Sequence, residues 1–538
     1  MFKCLKSYIA PIIISLLQWI ATLVFNVDKK FFTYNQVTHY YIIVKCLYGI
    51  LLIVFWCYLF HFIRKLKSRD AEHKRALKVF LVYVAIMLIY GIILWPGTWS
   101  WDDLMTLHTI DTYESFFPWQ GIITGVYQDL LLQVLPFPGG IIILQNIIIS
   151  MCVSAIVLSI ERIFKVVVSG NWVIDTIVKL LPFFILPPVI MYQFSGYRMG
   201  IYVYLELFVL VKLIEINTEH YRWSWGNIIL LAAVCVIVAI WRTESLIYIP
   251  FVILLLLISR QQPAVIRKKI VCIVLICLGS FGLNSWQKTE LVNSNYEIIS
   301  LLCPSAELVR AADINDDAEL LNTIDKVTDI KVILTNPQYD GERLYWRTNC
   351  VRDGYSKEEY RNYIKAIVKL SLKYPKVVSV ERLNKFIIAT NLNGRTVYND
   401  DSAYIFDEDC DNEQQLEAYT KNWFAYRPIL YKTRTIVINI LSSKTIDGER
   451  IQSVCRVVWN GLIPILIIIY TWIKLFVKKK WYYWVLCSSM VFKILIVFLT
   501  EPAGWLMYFL SAYLVGYLIF IYGLIWLIRT YQTEKTAN

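Results

Sequence analysis

Apolar runs of about 20 residues alternate with short polar stretches along most of the chain. A helix that crosses a hydrocarbon core of roughly 30 Å needs about 20 apolar residues, so each run is a candidate membrane span. The composition agrees, because 57% hydrophobic residues and a mean hydropathy of +0.53 exceed the values typical of a soluble protein. The expected fold class is therefore mainly α, a polytopic transmembrane helix bundle. About twelve spans are predicted, near residues 8–26, 41–62, 76–96, 139–160, 173–194, 198–215, 227–241, 246–259, 268–284, 451–473, 481–500 and 505–528.

The segment from 285 to 450 departs from this pattern. It is polar and mixes charges with helical stretches such as "KEEYRNYIKAIVKLSLKYP". At about 165 residues, it is long enough to bury a core of its own. We expect three parts: an N-terminal transmembrane bundle over 1–284 with a catalytic outer loop at 97–138, a mostly helical extracytoplasmic domain over 285–450, and C-terminal transmembrane helices over 451–538.

Basic residues gather in three of the loops between predicted spans, and Lys and Arg in short loops stay on the cytoplasmic side. With about twelve spans, an even number, all three clusters fall inside together with both termini. The loops 97–138 and 285–450 then lie outside, and the expected location is the plasma membrane. The net charge of +12 reflects topology and attraction to anionic lipid rather than a nucleic-acid partner. The clusters are Arg64, Lys65, Lys67, Arg69, Lys74 and Arg75; Arg260, Arg267, Lys268 and Lys269; and Lys474, Lys478, Lys479 and Lys480.

Cysteine and histidine do not indicate a metal site. Only Cys303, Cys350 and Cys410 fall in the expected outer domain, and one disulfide among them stays open. Their spacing matches no zinc motif, and five scattered histidines argue against a His-based metal site or catalytic triad.

Two adjacent acids, Asp102 and Asp103, follow the third predicted span in "PGTWSWDDLMTL", residues 96–107. Ser100 lies three residues before Asp103, which is the spacing of a capping box, and both acids suit the first turn of a helix. Clustered acids at a membrane edge are also a marker of catalysis. The residues that follow bear on this choice.

The next segment, "QGIITGVYQDLLLQVLP", is amphipathic. Its apolar residues share one helical face, and the other face carries Gln120, Thr124, Gln128, Asp129 and Gln133. The pattern predicts a helix over 120–135 that lies on the membrane surface. Such a helix either braces the interface or supports chemistry there on a substrate held by a lipid tail.

An even number of spans, cytoplasmic termini, an acidic motif in a long outer loop and a large outer segment resemble the GT-C superfamily of membrane glycosyltransferases. Within it, "PGTWSWDDLMTL" resembles the PG-x-x-SWD-type motif of bacterial multi-span members. The resemblance implies a sugar donor on a polyprenyl phosphate, an envelope glycan, lipid or protein as acceptor, and an acid of the first long outer loop as catalytic base. Asp102 fits that position, with Asp103 beside it. This chain carries Pro118, Trp119 and Gln120 where such relatives often have a His-Pro pair, and three spans precede its motif rather than one.

Transfer from such a donor releases a lipid phosphate, whose growing charge needs cations or a metal ion nearby. Candidates for binding the donor phosphate or the acceptor hydroxyls are Arg198 in "SGYRMG", Arg242 and Glu244 in "WRTES", Arg310 in "CPSAELVRAADI" and Glu501 in "TEPAGW". Each also suits an ordinary role at a membrane edge or surface. No cofactor is certain. A divalent cation at Asp102, Asp103 and Glu114 is left open, because these acids have no fixed ligand spacing.

Two other functions stay open. Pro182, Pro187 and Pro188 interrupt the fifth predicted span, and broken helices mark transport sites, which suits a transporter or flippase of lipid-linked or polar substrates. Transporters usually place ionisable residues near the bilayer midplane, whereas the acids and arginines singled out above fall outside the predicted spans. A non-enzymatic envelope scaffold is the second alternative.

Overall fold

The computed structural model of the protein describes residues 2–24, 39–68, 70–99, 102–103, 106–107, 120–165, 167–218, 221–259, 265–394 and 427–537. These residues are mainly helical and form no β-strand. Short 3₁₀ turns occur at Thr22–Val24, Thr243–Ile247, Tyr296–Ile298 and Leu506–Phe509. The α-helices are α1 (Phe2–Ala21), α2 (His39–Lys67), α3 (Ala71–Ile93), α4 (Ile122–Leu132), α5 (Pro138–Phe164), α6 (Trp172–Phe184), α7 (Pro187–Gln193), α8 (Met199–Ile216), α9 (Trp225–Trp241), α10 (Tyr248–Ile258), α11 (Ile266–Asn293), α12 (Ile299–Ala311), α13 (Ala318–Asp325), α14 (Ile330–Thr335), α15 (Gly341–Arg347), α16 (Lys357–Lys373), α17 (Pro375–Ala389), α18 (Tyr431–Leu441), α19 (Gln452–Val458), α20 (Leu462–Val477), α21 (Trp481–Thr500) and α22 (Leu510–Ala537).

Helical residues lie at every predicted span, but fewer helices have the length and composition of a span. Among the described residues, six helices are long and apolar enough to cross a membrane, or seven if the bent pair α6–α7 counts as one span. The six cover Tyr41–Lys67, Ala71–Ile93, Pro138–Phe164, Gln452–Val477, Trp481–Thr500 and Leu506–Ile528. Among the other stretches, α9 has only 17 residues, and α8 carries the charged residues Glu206, Lys212 and Glu215. The part of the chain that the structure describes is thus mainly helical and contains six candidate membrane spans.

The break predicted in the fifth span lies between α6 and α7. The two helices are bent by 79° relative to each other. Pro187 and Pro188 open α7, where their missing N–H groups disturb no hydrogen bond, whereas Pro182 lies inside α6. The prolines therefore end one helix and begin another.

Successive helices run in opposite directions, so their connections gather at two ends of the bundle. We call one end the loop end, because it carries the connections 94–99, 194–198, 242–247 and 501–505. At the opposite end, Arg75 of α3 binds Glu161 of α5 at 2.5 Å and Asp175 of α6 at 2.8 Å. Lys179 of α6 lies 2.8 Å from the same two carboxylates. These ion pairs hold three helices together at the end farthest from Asp102.

A second hydrophobic core lies at the loop end, separate from the core of the bundle. It is built by helices α12–α16, which we call the helical unit. Its buried side chains include Ile298, Leu302, Leu308, Ile324, Ile333, Leu344, Tyr363 and Leu370. Residues between 298 and 370 of the polar segment thus form a buried core of their own.

Helix α17 lies across the ends of the last three spans. Arg382 donates to the carbonyl oxygens of Leu499 and Glu501, at 3.1 and 3.0 Å. One turn later, Lys385 donates to the carbonyl oxygen of Pro502 at 3.3 Å. At the C-terminal end of α17, the carbonyl oxygen of Thr390 accepts from the N–H of Gly461, which precedes α20. Because these partners lie at the N-terminal end of α20 and the C-terminal end of α21, α17 runs along the edge of the bundle.

Helix α4 forms where the amphipathic segment predicted it, but its polar face points inward. Thr124, Gln128, Asp129 and Gln133 are all buried. Gln128 donates to the carbonyl oxygen of Gly196 at 2.9 Å, and Thr124 accepts from the indole N–H of Trp241 at 2.8 Å. The surface position predicted for this helix is therefore wrong. Gln128 thus satisfies a backbone carbonyl that the bundle buries, and Gln133 bonds the side chains of Lys45 and Tyr41.

Candidate functional site

The loop that leads to Asp102 is fixed by contacts with the connection 194–198. Thr98 donates its hydroxyl to the carbonyl oxygen of Met191 at 2.7 Å, and its N–H to that of Phe194 at 2.8 Å. Gly97 has φ +119°, and a Cβ there would lie 2.6 Å from the carbonyl oxygen of Phe194. Trp99 is fully buried against Gly196, where a side chain would overlap the indole ring. The close approach of the two loops thus requires Gly97 in the "PGTW" motif and Gly196 in the facing loop.

The two acids have different surroundings. Asp102 is partly buried, and one carboxylate oxygen accepts the hydroxyl of Tyr197 at 3.0 Å. Asp103 is 1% exposed, and one of its oxygens lies 3.4 Å from the hydroxyl of Ser195. Burial raises the pKa of Asp102, while the Tyr197 hydrogen bond and the charge of Arg198 oppose the rise. Asp102 is therefore the more accessible acid and a stronger base than an exposed aspartate.

Arg198 lies close enough to Asp102 for its charge to act on that carboxyl. Its guanidinium donates one hydrogen bond, at 3.3 Å, to the carbonyl oxygen of Trp241. Its Nε has no partner within the described part of the chain. A planar guanidinium has five N–H donors, so Arg198 keeps donors for an anionic ligand.

Arg242 is 3% exposed and already paired. It binds the carboxylate of Glu244, and its Nη1 lies 3.0 Å from the sulfur of Met199. The guanidinium stacks over the ring of Tyr508, with 5.1 Å from Cζ to the ring centre. Arg198 is near enough for the two positive charges to repel. Arg242 is thus held rigidly, and its charge is compensated by Glu244.

The helical unit and the turn that precedes it contribute one residue each from the far side of the site. Glu342, in the first turn of α15, lies within electrostatic range of Asp102. Burial, together with the nearby Asp340, raises the pKa of Glu342 to about 7. The charges of Asp102 and Arg198 also act on Tyr296, which precedes α12. The site therefore lies between the bundle and the helical unit.

Four sequence candidates come together around Asp102, namely Asp103, Arg198, Arg242 and Glu244, and two do not. Arg310 lies in α12 of the helical unit, paired with Glu307 at 2.6 Å. Glu501 ends α21 and faces Arg382 and Lys385.

The open questions on metals and disulfides have partial answers. Glu114, Ser100 and Cys410 lie outside the described residues, and Cys303 and Cys350 are free thiols. Within the described ranges, no three His, Cys, Asp or Glu side chains are close enough together to hold a metal ion.

Sequence reasoning missed the tyrosines and Glu342. Tyr197 directly precedes Arg198, but a tyrosine at a membrane edge is normally assigned to the interfacial aromatic belt. Tyr508 and Glu342 are hundreds of residues from Asp102 in sequence, and the start of α15 reads as an ordinary helix N-terminus. Only the tertiary fold brings them to the site.

A buried ion pair joins α8 and α21 in the interior of the bundle. Lys493 of α21 binds both carboxylate oxygens of Glu206 of α8, at 2.9 and 2.8 Å. Lys493 also donates to the hydroxyls of Tyr202 and Ser511, at 2.9 and 3.3 Å. Its charge also reaches Glu244, the partner of Arg242. A polar network therefore connects the interior of the helix bundle with the loop end.

Together, six apolar helices of spanning length and a carboxylate–arginine site at their loop end define a helical membrane protein with a candidate active site. No protein-family model, curated protein or solved structure matches the chain. Function is therefore inferred from the site itself.

Proposed function

We propose that the protein is a membrane glycosyltransferase that moves a sugar from a polyprenyl-phosphate-linked donor to a cell-envelope acceptor. In this proposal, the chain crosses the plasma membrane about twelve times, and the bilayer thins locally around the shorter apolar helices. Both termini are cytoplasmic, and the loop end faces outward. The observation that carries the proposal is Asp102, bonded to Tyr197 and next to the incompletely paired guanidinium of Arg198.

Asp102 would accept the proton of the acceptor hydroxyl during attack on the anomeric carbon. A base works best when its pKa approaches the working pH, and burial moves the pKa of Asp102 in that direction. The Tyr197 hydrogen bond orients the carboxylate. Because protonation inactivates a base, the rate should fall on the acid side. That fall should occur at a higher pH than an ordinary aspartate would give.

Arg198 would bind the donor phosphate as the sugar leaves. A guanidinium matches phosphate oxygens with paired N–H donors, and charge-assisted hydrogen bonds are about twice as strong as neutral ones. Arg242 would stabilise the same charge from a fixed position, while Glu244 keeps it in place. A divalent cation at Asp102 and Asp103 remains a further source of positive charge, testable by chelation.

The test compares Asp102→Asn with Asp103→Asn in membranes of overexpressing cells, which hold the natural acceptor. Transfer of label from a panel of polyprenyl-phosphate sugars is measured. General-base catalysis contributes about 100- to 10,000-fold, so Asp102→Asn should lose nearly all transfer. Asparagine keeps an acceptor for Tyr197, so folding should survive. Asp103→Asn should lose less, since its side chain is buried against Ser195. Normal transfer by Asp102→Asn would refute the assignment of the base.

A transporter or flippase is the second candidate, and the Glu206–Lys493 pair favours it. Ionisable residues within membrane spans often mark transport pathways. The 79° break between α6 and α7 points the same way. In proteoliposomes, a flippase would move a labelled polyprenyl-phosphate sugar across the bilayer without consuming it, and would tolerate Asp102→Asn. A scaffold would do neither.

A further inference from the structure

A cleft of about 640 Å³ lies between α12, α15 and α17, next to the site around Asp102, to which α15 contributes Glu342. Volumes of this size are typical of small-ligand sites. Its charged walls are formed by Glu307, Arg310, Asp340, Lys376, Glu381 and Lys385. The remaining walls include Val380, Asn384 and Ile388 of α17. The cleft thus combines a polar interior with an apolar side.

The cleft rests on the ends of the membrane spans. Two of its lining residues, Cys303 and Lys385, bond to the carbonyl oxygen of Pro502, at 3.1 and 3.3 Å. Pro502 lies between α21 and α22, where both helices reach the loop end. Because α17 runs along these span ends, the cleft lies at the level where spans leave the bilayer.

An exposed apolar stripe follows α17 beside the cleft. Val380, Leu383 and Ile387 are 56, 50 and 39% exposed, and their spacing puts them on one helical face. That face is opposite the buried side chains of Glu381 and Lys385. Val380 also lines the cleft, so the apolar surface continues into it. An apolar stripe at the ends of membrane spans is a surface suited to lipid.

The charges in the cleft are mostly paired, with one exception. Arg310 binds Glu307 at 2.6 Å, and Lys385 binds Asp340 at 3.0 Å. Glu381 binds Arg382. Lys376 is exposed at the N-terminal end of the stripe and forms no ion pair within the described ranges. The cleft therefore offers one uncompensated positive charge, which suits a single phosphate group.

We propose that this cleft binds the phosphate-bearing headgroup of a membrane phospholipid. Lys376 meets the phosphate, the amide of Asn384 bonds the polar linkage, and the acyl chains follow Val380, Leu383 and Ile387 into the bilayer. The ligand is an amphiphile, because polar walls and apolar stripe are continuous. The proposal does not depend on sugar transfer, since none of these residues belongs to the site around Asp102.

The test uses the purified full-length protein in detergent, stripped of phospholipid and titrated calorimetrically with short-chain phosphatidylglycerol. Lys376→Glu should weaken binding about tenfold or more, as expected for a lost charge-assisted contact to phosphate. Lys369→Glu is the matched control: it makes the same charge change at an exposed position of α16 outside the cleft. Thermal unfolding of both variants establishes that they are folded.

Three further titrations separate the possible ligands. A diacylglycerol with the same acyl chains should bind about tenfold more weakly, because it lacks the phosphate. Inorganic phosphate should show no saturable binding, because it lacks the chains. Equal weakening by the two variants, equal binding of diacylglycerol, or tight binding of inorganic phosphate would each overturn the proposal. So would binding of polyprenyl phosphate without binding of phosphatidylglycerol.

Discussion

Replacing Glu501 with Gln should stabilise the protein at alkaline pH. Glu501 is 1% exposed, and neither carboxylate oxygen has a hydrogen-bond partner among the described residues. Burial raises its pKa from 4.5 to about 8, although the charges of Arg382 and Lys385 oppose the rise. Between these two pH values, the folded state holds a proton that the unfolded state has released. Stability therefore falls as pH rises through this window.

The size of the effect follows from the two pKa values. Each pH unit across the window costs about 1.4 kcal/mol, so the total approaches about 5 kcal/mol above pH 8. Between about pH 6 and pH 8.5 the wild type should lose about 3 kcal/mol more than Glu501→Gln, a difference of a few degrees in Tm. Glutamine has nearly the same shape and cannot ionise.

The assay is thermal unfolding in detergent, followed by tryptophan fluorescence at several pH values. Glu449→Gln serves as the control, because Glu449 is exposed and its substitution should leave the pH dependence unchanged. Wild type and Glu501→Gln losing stability in parallel would refute the reasoning. Such a result would mean that water or a rearranged partner solvates the Glu501 carboxylate.

Three further predictions concern the site and the topology. Arg198→Lys should raise KM for the donor more than Arg242→Lys, because Arg198 has unused donors and Arg242 is already paired; steady-state kinetics with a labelled donor decides, and equal effects would contradict this. Gly196→Ala should destabilise the protein by about 1–3 kcal/mol, because its methyl group overlaps a buried indole ring; an unchanged Tm would contradict the close packing. In a Cys-free background, an impermeant thiol reagent applied to cells should label Lys357→Cys but not Lys478→Cys; the reverse pattern would invert the proposed orientation.

Much of the fold could be predicted from hydrophobic pattern, because span-length apolar runs have few alternatives to a helix in a bilayer. Helices lie at every predicted stretch, and the chain breaks at Pro187 and Pro188. The number of spans was harder to predict. Helix α9 is short and α8 carries charged residues, so neither is clearly a span by length and hydropathy. How deeply such a helix lies in a membrane depends on the helices that pack against it. The inward polar face of α4 was missed because an amphipathic pattern shows only that one helical face is polar. It does not show whether that face contacts water or buried polar groups of the protein.

The part of the candidate site that could be predicted from the sequence consists of residues next to apolar runs whose ends meet at the same end of the bundle. Asp102, Arg198 and Arg242 each follow or precede an apolar run, so alternating helix directions bring them together. Glu342 reaches the site only through the packing of the helical unit, and no local pattern encodes that packing. Arg310 has the right chemistry but sits on α12, paired with a neighbouring glutamate.

The ion pair between Glu206 and Lys493 sets an order on how the chain is assembled during synthesis. The two residues are separated by 287 positions, so in the proposed topology α8 enters the bilayer long before α21 exists. A lone charge at the centre of a membrane helix costs about 2.5–3.5 kcal/mol on insertion scales. Until α21 arrives, Glu206 must be protonated or sheltered by the insertion machinery. A chain truncated before Trp481 would keep an unmatched acid in its bundle, and cellular quality control would have a reason to remove it.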